Sequence, residues 1–181
     1  MEVIYVLLAI IALGGIGAIV HIINYNRLQS KVIRIAEAES IIDEALRQRH
    51  DLIARFNNTI KSTIKIKDDY FKDFDDLEKE NLSNFDLDRK ITKAFNLALK
   101  LKNDYTELEN DKTINDLILN LKQNAEKLEA AKAFYNKYTT ELNKVIKKFP
   151  SNITARIHGF VVKAYYDGKD LEDNIIDDFK L

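Results

Sequence analysis

The first part of the chain is a continuous run of apolar residues rather than a periodic pattern. Every residue at positions 3–20 is apolar or glycine, and Ile22 and Ile23 extend the run past His21. As a helix, a run of this length spans roughly 31 Å, which matches the hydrocarbon core of a bilayer. We therefore predict a transmembrane helix that contacts the lipid bilayer through residues 3–23.

A cleaved signal peptide is the alternative interpretation of this run. Such a peptide has basic residues before a shorter apolar stretch and a small-residue cleavage site after it. Here Glu2 is the only charged side chain before the run, although Gly15-Ile16-Gly17 resembles a cleavage site. The length of the run and the acidic flank favour the anchor.

Basic side chains flank the run on one side only, and they predict its orientation. Arg27, Lys31 and Arg34 follow the run, whereas only the α-amino group carries a positive charge before it. Because basic flanks stay in the cytoplasm, we expect the N-terminus outside and the rest of the chain inside. Gly14 and Ala18 form a small-xxx-small pair that could seat a homo-oligomer, although small residues are common in transmembrane helices.

Beyond the anchor, apolar positions recur every three or four residues, which is the period of an amphipathic helix. The first series is Tyr25, Leu28, Val32, Ile35, Ile42, Leu46, Ile53, Phe56 and Ile60. It has gaps at Glu39 and Arg49, and with a shift in register it continues through Ile64, Phe71, Phe74 and Leu77. Because no glycine or proline separates this series from the anchor, we predict one nearly continuous helix to about residue 79.

A second and a third helix follow from the same period. A turn at 81–86 with the capping pattern Ser83-x-x-Asp86 precedes the second helix. Its apolar face is Leu87, Ile91, Ala94, Phe95, Ala98, Leu101, Tyr105 and Leu108. After a polar loop at 109–112, the third helix has the face Ile114, Leu117, Leu121, Ala125, Leu128, Ala131, Tyr135, Tyr138, Leu142, Val145 and Phe149.

The only proline, Pro150, ends the third helix because it cannot continue the helical hydrogen bonds. A fourth helix is expected after a cap at Ser151 or Asn152. Its predicted face is Ile153, Ile157, Phe160, Val161 and Ala164. Beyond it lies an acidic segment that we expect to be loosely ordered.

These patterns predict an all-α protein, in which an N-terminal transmembrane helix is followed by an antiparallel bundle of about four helices with a very long first helix. Five glycines and one proline in 181 residues support long uninterrupted helices. The predicted parts are a transmembrane anchor at 1–23, a helical bundle at 24–166 and an acidic C-terminal tail at 167–181.

The charge balance argues against a nucleic-acid partner, and the absence of cysteine excludes cysteine chemistry. With 28 basic and 29 acidic residues, the chain lacks the basic field that holds nucleic-acid phosphates, and we expect no nucleic-acid partner. It has no cysteine, which excludes disulfides, thiolate nucleophiles and a lipoprotein-type cysteine.

Several segments taken together resemble the LemA family. They are NYNRL at 24–28, IDEALRQRHDLI at 42–53, TIK at 59–61, AKAFYN at 131–136 and FPSN at 149–152, followed by Ala155 and Gly159-Phe160. The chain departs from the family pattern where Leu142-Asn143 and Tyr105-Thr106 replace Tyr-Asn and Tyr-Pro. The resemblance implies a single-pass protein of the bacterial inner (cytoplasmic) membrane, with a short N-terminus outside and a helical domain in the cytoplasm. It implies no established enzymatic activity.

The residues themselves show no catalytic or metal motif. A carboxylate-bridged metal pair in a helical bundle uses Glu-x-x-His motifs, and no acidic residue lies three positions before His21, His50 or His158. There is also no glycine-rich phosphate loop and no visible Ser-His-Asp arrangement. We therefore expect no catalytic residues, no metal and no cofactor.

One polar cluster stands out in the first bundle helix. Its members are Asp43, Arg47, Arg49, His50, Asp51 and Arg55. The pairs spaced four apart can form an exposed ion-pair ladder on one helical face. Arg49 falls instead on the apolar face, which favours a polar layer inside the bundle or a docking patch.

Asn136 and Asn143 form a second set of candidates. They lie seven residues apart, each next to an apolar position of the third helix. Buried amides at such positions fix helix register at some cost in stability, whereas surface asparagines would have no such role.

Two function classes remain from the sequence. One is a membrane-anchored, non-enzymatic cytoplasmic scaffold or interaction module, whose partner is a cytoplasmic protein or a second copy of the chain. The other is a membrane-associated enzyme or small-ligand receptor with a site of scattered residues. A buried pocket with convergent polar groups would favour the second class, and a continuous packed core would favour the first.

Overall fold

The computed structural model describes residues 1–64, 71 and 83–166, and the regular elements within these ranges are all helices. They are α1 (Glu2–Thr63), α2 (Asn84–Asp104), α3 (Thr106–Glu109), α4 (Lys112–Lys147) and α5 (Ser151–Ile157). The predicted all-α fold with a very long first helix is confirmed for the described residues. The acidic tail predicted at 167–181 lies outside them.

α1 contains the predicted transmembrane run. It is long and apolar enough to cross a membrane, and its most apolar window has a mean hydropathy of 2.7 and no buried residue. Large side chains such as Leu8, Leu13 and Ile19 are more than half exposed. Leaving so much apolar surface in water is costly, so the exposed run is consistent with anchoring in a membrane.

α1 ends at Thr63, earlier than the end predicted near residue 79. Hydroxyl side chains interact with its last turns: Thr59 Oγ1 donates to the Arg55 carbonyl at 2.9 Å, and Ser62 Oγ donates to the Thr59 carbonyl at 2.8 Å. Such side chains compete with the backbone for helical hydrogen bonds. The predicted apolar positions 74 and 77 lie outside the described residues.

α2 begins with the predicted cap but ends before its predicted end. The Asp86 N–H donates to Ser83 Oγ at 3.2 Å, and Ser83 Oγ donates to Asp86 Oδ2 at 2.7 Å. Tyr105 then has an extended backbone with φ −121° and ψ 114°, so the prediction of one helix through Leu108 was wrong. Leu108 is nevertheless buried, on the separate helix α3.

α4 agrees with the third predicted helix, whereas α5 is shorter than the fourth. α5 ends at Ile157, and Gly159 has a φ of 69°, a left-handed conformation that glycine adopts at helix ends. The Phe160 N–H closes this end by donating to the Ala155 carbonyl at 2.9 Å. The predicted helical face through Ala164 was therefore wrong beyond Ile157, because a glycine in this conformation stops the helix.

The described chain divides into two compact units. The first unit is Met1–Glu37 with Tyr135–Leu181, and the second unit is Ala38–Phe134. The core of the first unit consists of Leu28, Ile35, Leu142, Val145 and Ala155. Fully buried side chains of the second unit include Ile42, Leu46, Ile53, Phe56, Ile91, Leu108, Leu121 and Leu128.

Side-chain contacts give the helix directions within the second unit. Glu44 of α1 is paired with Lys127 of α4, whereas Arg55 lines a groove with Asn120. Residue numbers therefore rise along α1 as they fall along α4, and these two helices are antiparallel.

α2 runs in the same direction as α1 in this unit. Asp43 accepts a hydrogen bond from Asn84, and further along both helices Arg49 is paired with Asp88. α2 and α4 are consequently antiparallel to each other, which brings the first turns of α2 beside α1 and the later turns of α4.

Candidate functional site

Arg49, the charge on the apolar face of α1, lies inside the second unit. Its side chain is 5% exposed, and its Nη1 is 3.6 Å from Asp88 Oδ1 of α2. Its Cζ lies 5.1 Å from the centroid of the Phe95 ring, within cation–π range. The aliphatic stem thus occupies an apolar position while the guanidinium meets a carboxylate and an aromatic face.

Asp88 is the common partner of two cations from two helices. Lys132 of α4 places its Nζ 2.5 Å from Asp88 Oδ2 and 2.7 Å from Glu129 Oε1. Asp88 is almost completely buried, whereas Glu129 is exposed at the edge. We call Arg49, Asp88, Lys132 and Glu129 the ion layer, and its two positive charges balance its two negative ones.

The environment of Arg49 acts on its pKa in two directions. Burial lowers the pKa of the guanidinium, and the charges of Asp88 and then Glu129 raise it. The side chain of an arginine stays protonated in proteins. The group is therefore a fixed buried charge that needs its carboxylate rather than an acid or a base.

The other members of the predicted cluster are not part of the ion layer. Asp43 is half-buried and accepts a hydrogen bond from Asn84, whereas Arg47 and Asp51 are exposed. His50 is half-buried, with its Nδ1 3.9 Å from Asp51 Oδ1. Within the described residues, no pair of the predicted four-residue ladder comes within ion-pair distance.

A polar groove separates the exposed faces of α1 and α4 in the second unit. Its volume is about 410 Å³. We call it the α1–α4 groove, and its lining consists of Gln48, Asp51, Leu52, Arg55, Asn120, Gln123, Asn124 and Lys127. At its base Asn124 Nδ2 donates to the Ala45 carbonyl at 3.0 Å, so a buried amide holds the two helices together there.

Asn136 and Asn143 lie in the first unit and hold a following chain segment. Asn143, which is 1% exposed, donates from Nδ2 to the Lys163 carbonyl at 2.7 Å and accepts from the Lys163 N–H through Oδ1 at 2.9 Å. Asn136 Oδ1 accepts from the Tyr166 N–H at 2.8 Å. These amides therefore bind the backbone of residues 163–166 against α4, instead of pairing with an amide of another helix.

Sequence reasoning missed three members of the ion layer. Asp88 lies three positions before Ile91 and seven before Phe95, on the apolar face of α2. It could have been recognised there by the argument that identified Arg49. Lys132 and Glu129 gave no such signal, because a lysine and a glutamate three apart are ordinary on a solvated helical face.

Potential metal ligands do not gather in the described residues. No group of three or more His, Asp or Glu side chains there is arranged to hold a metal ion.

Comparison with known proteins identifies a family. A family model described as the LemA family matches residues 38–176. The matched range covers the whole second unit, and the resembling segment at 24–28 precedes it. A search of curated proteins finds no significant match.

Proposed function

The chain belongs to the LemA family, and we propose that it is a membrane-anchored, non-enzymatic interaction module whose helical domain lies in the cytoplasm. The apolar run of α1 serves as the anchor, and the second unit presents a docking face to a cytoplasmic protein. The inner bacterial membrane is the expected location, with the N-terminus outside.

The α1–α4 groove is the observation that carries this proposal. The side chains of Arg55, Asn120 and Gln123 have no hydrogen-bond or ion-pair partner among the described residues. They stand beside Asp51, whose side chain is 73% exposed. Beside this one acid, the unpaired side chains of the groove thus offer one cation and two amides, a combination suited to the backbone and polar side chains of a protein segment.

The ion layer supports a structural rather than a chemical role for the most unusual charge of the cluster. Asp88 neutralises Arg49 inside the second unit and is shared with Lys132. A group that must accept or donate a proton near neutral pH needs a pKa near that range, and a buried arginine does not offer one. The docking role is therefore assigned to Asp51 and Arg55 on the surface, and not to Arg49.

Site-specific photo-crosslinking in cells tests the docking face. A photoreactive amino acid replaces Gln123 in the groove or, as the matched control, the exposed Lys100 on α2 of the same unit. The proposal predicts a discrete crosslinked species of defined mass from position 123 that is absent from position 100. It also predicts that adding Arg55→Glu abolishes this species, because the groove then loses the cation that is not paired with another side chain.

Two outcomes would contradict the assignment. If positions 123 and 100 give the same crosslinked species, the contact is not specific to the groove. If the species from position 123 persists with Arg55→Glu, the charge at residue 55 does not select the partner. A species of twice the chain mass would identify a second copy as the partner, in place of another cytoplasmic protein.

A further inference from the structure

We infer that the first unit makes a second contact with the bilayer, in which the exposed apolar residues of 149–161 enter the interfacial layer and a neighbouring basic groove binds the phosphate of anionic phospholipid headgroups. This inference rests on the proposed membrane anchor, and it goes beyond the anchor by naming a second lipid-binding surface and its ligand.

The segment around α5 exposes large apolar side chains in an unusual concentration. Phe149 is 73% exposed, Ile153 52%, Ile157 65% and Val161 71%. On the same segment Ser151, Thr154 and Ala155 are buried. One side of the segment therefore packs on the rest of the first unit, and another side exposes apolar side chains. Helices that lie in a membrane interface have the same two sides.

Contacts with α1 place this segment at the end of the transmembrane run. His21 Nε2 is 3.0 Å from His158 Nε2, and His21 Nδ1 is 3.2 Å from Thr154 Oγ1. The ring of Tyr25 lies against that of His158 in a tilted arrangement, with centroids 4.6 Å apart. Because the apolar run ends at Ile23, the exposed side chains of α5 lie near the boundary between acyl chains and headgroups when the run spans a bilayer.

A basic groove lies in the same unit, directly after the run. Its volume is about 460 Å³, and it is lined by Arg27, Lys31, Glu141, Lys144, Val145 and Lys148. Lys31 is paired with Glu141. The side chains of Arg27, Lys144 and Lys148 have no hydrogen-bond or ion-pair partner among the described residues, so the groove keeps an excess of positive charge.

The depth of this groove matches that of lipid phosphates. Arg27 lies four residues beyond Ile23, a rise of about 6 Å along the helix. The headgroup layer occupies roughly the 5–8 Å outside the hydrocarbon core on each side. Basic grooves at this depth bind the headgroups of anionic lipids, and lipid is also the partner that the adjoining exposed apolar segment requires.

Tryptophan fluorescence tests insertion directly, because the chain has no tryptophan of its own. The full chain is reconstituted into vesicles of phosphatidylcholine and phosphatidylglycerol, with or without brominated acyl chains that quench on contact. Ile153→Trp probes the segment, and Ile157→Trp repeats the measurement one turn later. Ile10→Trp reports the anchor, and Ile33→Trp, about 15 Å beyond Ile23, is the control outside the membrane.

The inference predicts quenching of the Ile153→Trp, Ile157→Trp and Ile10→Trp variants but not of Ile33→Trp. Quenching of Ile10→Trp alone would overturn the second contact and leave the anchor intact, whereas no quenching of any variant would overturn the anchor as well. If quenching of the Ile153→Trp variant by the brominated lipid decreases as the protein concentration rises, a second copy of the chain covers the segment. This result would also overturn the inference.

Lipid binding to the detergent-solubilised full chain, measured by native mass spectrometry, tests the groove. Lys144→Gln with Lys148→Gln should weaken phosphatidylglycerol binding about thirty-fold, because each cation contributes ~1 kcal/mol near an anionic surface. The matched variant Lys93→Gln with Lys100→Gln, on the exposed side of α2, should leave it unchanged. Three results would overturn the headgroup assignment. Phosphatidylcholine could bind as tightly as phosphatidylglycerol, or both double variants could lose the same affinity for phosphatidylglycerol. Inorganic phosphate could also bind as tightly as the lipid.

Discussion

At the scale of single residues, Arg49 shows how far one position can be interpreted before its neighbours are known. Its place on an apolar face predicts that its guanidinium needs a partner from another helix. The identity of that partner, Asp88, depends on how α2 lies beside α1, and the pattern of neither helix contains this information. The sequence therefore favours a polar layer or a docking patch at this position, and it does not identify the residues that pair with Arg49.

The ion layer predicts how much three alanine substitutions lower the free energy of unfolding relative to one another. Asp88→Ala removes the buried carboxylate that Arg49 and Lys132 share, and breaking a buried pair in this way costs about 3–5 kcal/mol. Arg49→Ala should cost less, about 1–3 kcal/mol, because Asp88 keeps Lys132. Asp51→Ala, on the exposed face, should change stability by less than about 0.5 kcal/mol.

Denaturant midpoints of the detergent-solubilised full chain measure these differences. The double variant Arg49→Ala with Asp88→Ala should lose less than the sum of its single variants, since the two residues share one interaction. Equal losses for Asp51→Ala and Asp88→Ala, or strict additivity of the double variant, would contradict the assignment of the layer.

A surface pair in the first unit predicts a dependence on pH. The hydrogen bond from Lys31 is the main cause that holds the pKa of Glu141 below its usual range. A carboxylate with a lowered pKa stabilises the folded state above its unfolded pKa, and this contribution is lost as the pH falls through the folded pKa. Because both side chains are partly exposed, the effect is small.

The matched variant for this pair is Lys31→Gln. Its melting temperature should lie below that of the unaltered chain at neutral pH, and the two should converge in acid, where Glu141 is protonated. A difference that stays constant across this range would mean that Lys31 contributes through packing and not through the charge of Glu141.

At the scale of helices, the strength of the pattern decides what the sequence predicts correctly. α4 has an unbroken three-four alternation, and its bounds Lys112–Lys147 differ from the prediction only at the ends, where Lys112 was expected in the loop and Phe149 in the helix. α2 has an equally regular face, yet the chain leaves the helix at Tyr105, where the face continues. Periodicity thus shows which side of a segment is buried, but a local backbone change can end the helix without disturbing that pattern.

The segment after α5 shows the same principle through its hydrogen bonds. The apolar positions 160, 161 and 164 suggested a helical face, but Gly159 ends α5 and Asn143 binds the backbone at Lys163. An amide that both donates to and accepts from one residue supplies the bonds that a helix would have given. The non-helical course of this segment therefore depends on contacts with α4, which a local pattern of apolar residues does not contain.

Asn143→Ala should therefore loosen this segment in a localised way. The Lys163 N–H and carbonyl lose their partner, and leaving such groups unsatisfied costs about 1–3 kcal/mol each when water cannot reach them. Hydrogen exchange at the Lys163 amide should accelerate, while amides in the middle of α4 keep their rate. Acceleration throughout α4 would show instead that Asn143 supports the whole first unit.

At the scale of the whole molecule, the sequence predicts the membrane run and the helical class, but not the docking face. The length and hydropathy of the apolar run can be obtained from the sequence alone. The exposure of Leu8 and Ile19 agrees with the transmembrane helix that they predict. The α1–α4 groove combines Arg55 with Gln123, and their proximity depends on the register between two distant segments. Surface sites of this kind become visible only when the helices are packed.

The absence of cysteine makes the orientation of the chain directly measurable. Single cysteines introduced by Glu2→Cys and Lys100→Cys are treated with a membrane-impermeant maleimide in intact cells and again after permeabilisation. A single-pass anchor with its helical domain in the cytoplasm predicts labelling of the Glu2→Cys variant in intact cells and of the Lys100→Cys variant only after permeabilisation. Labelling of the Lys100→Cys variant in intact cells, with the Glu2→Cys variant protected until permeabilisation, would contradict the proposed location of the docking face in the cytoplasm.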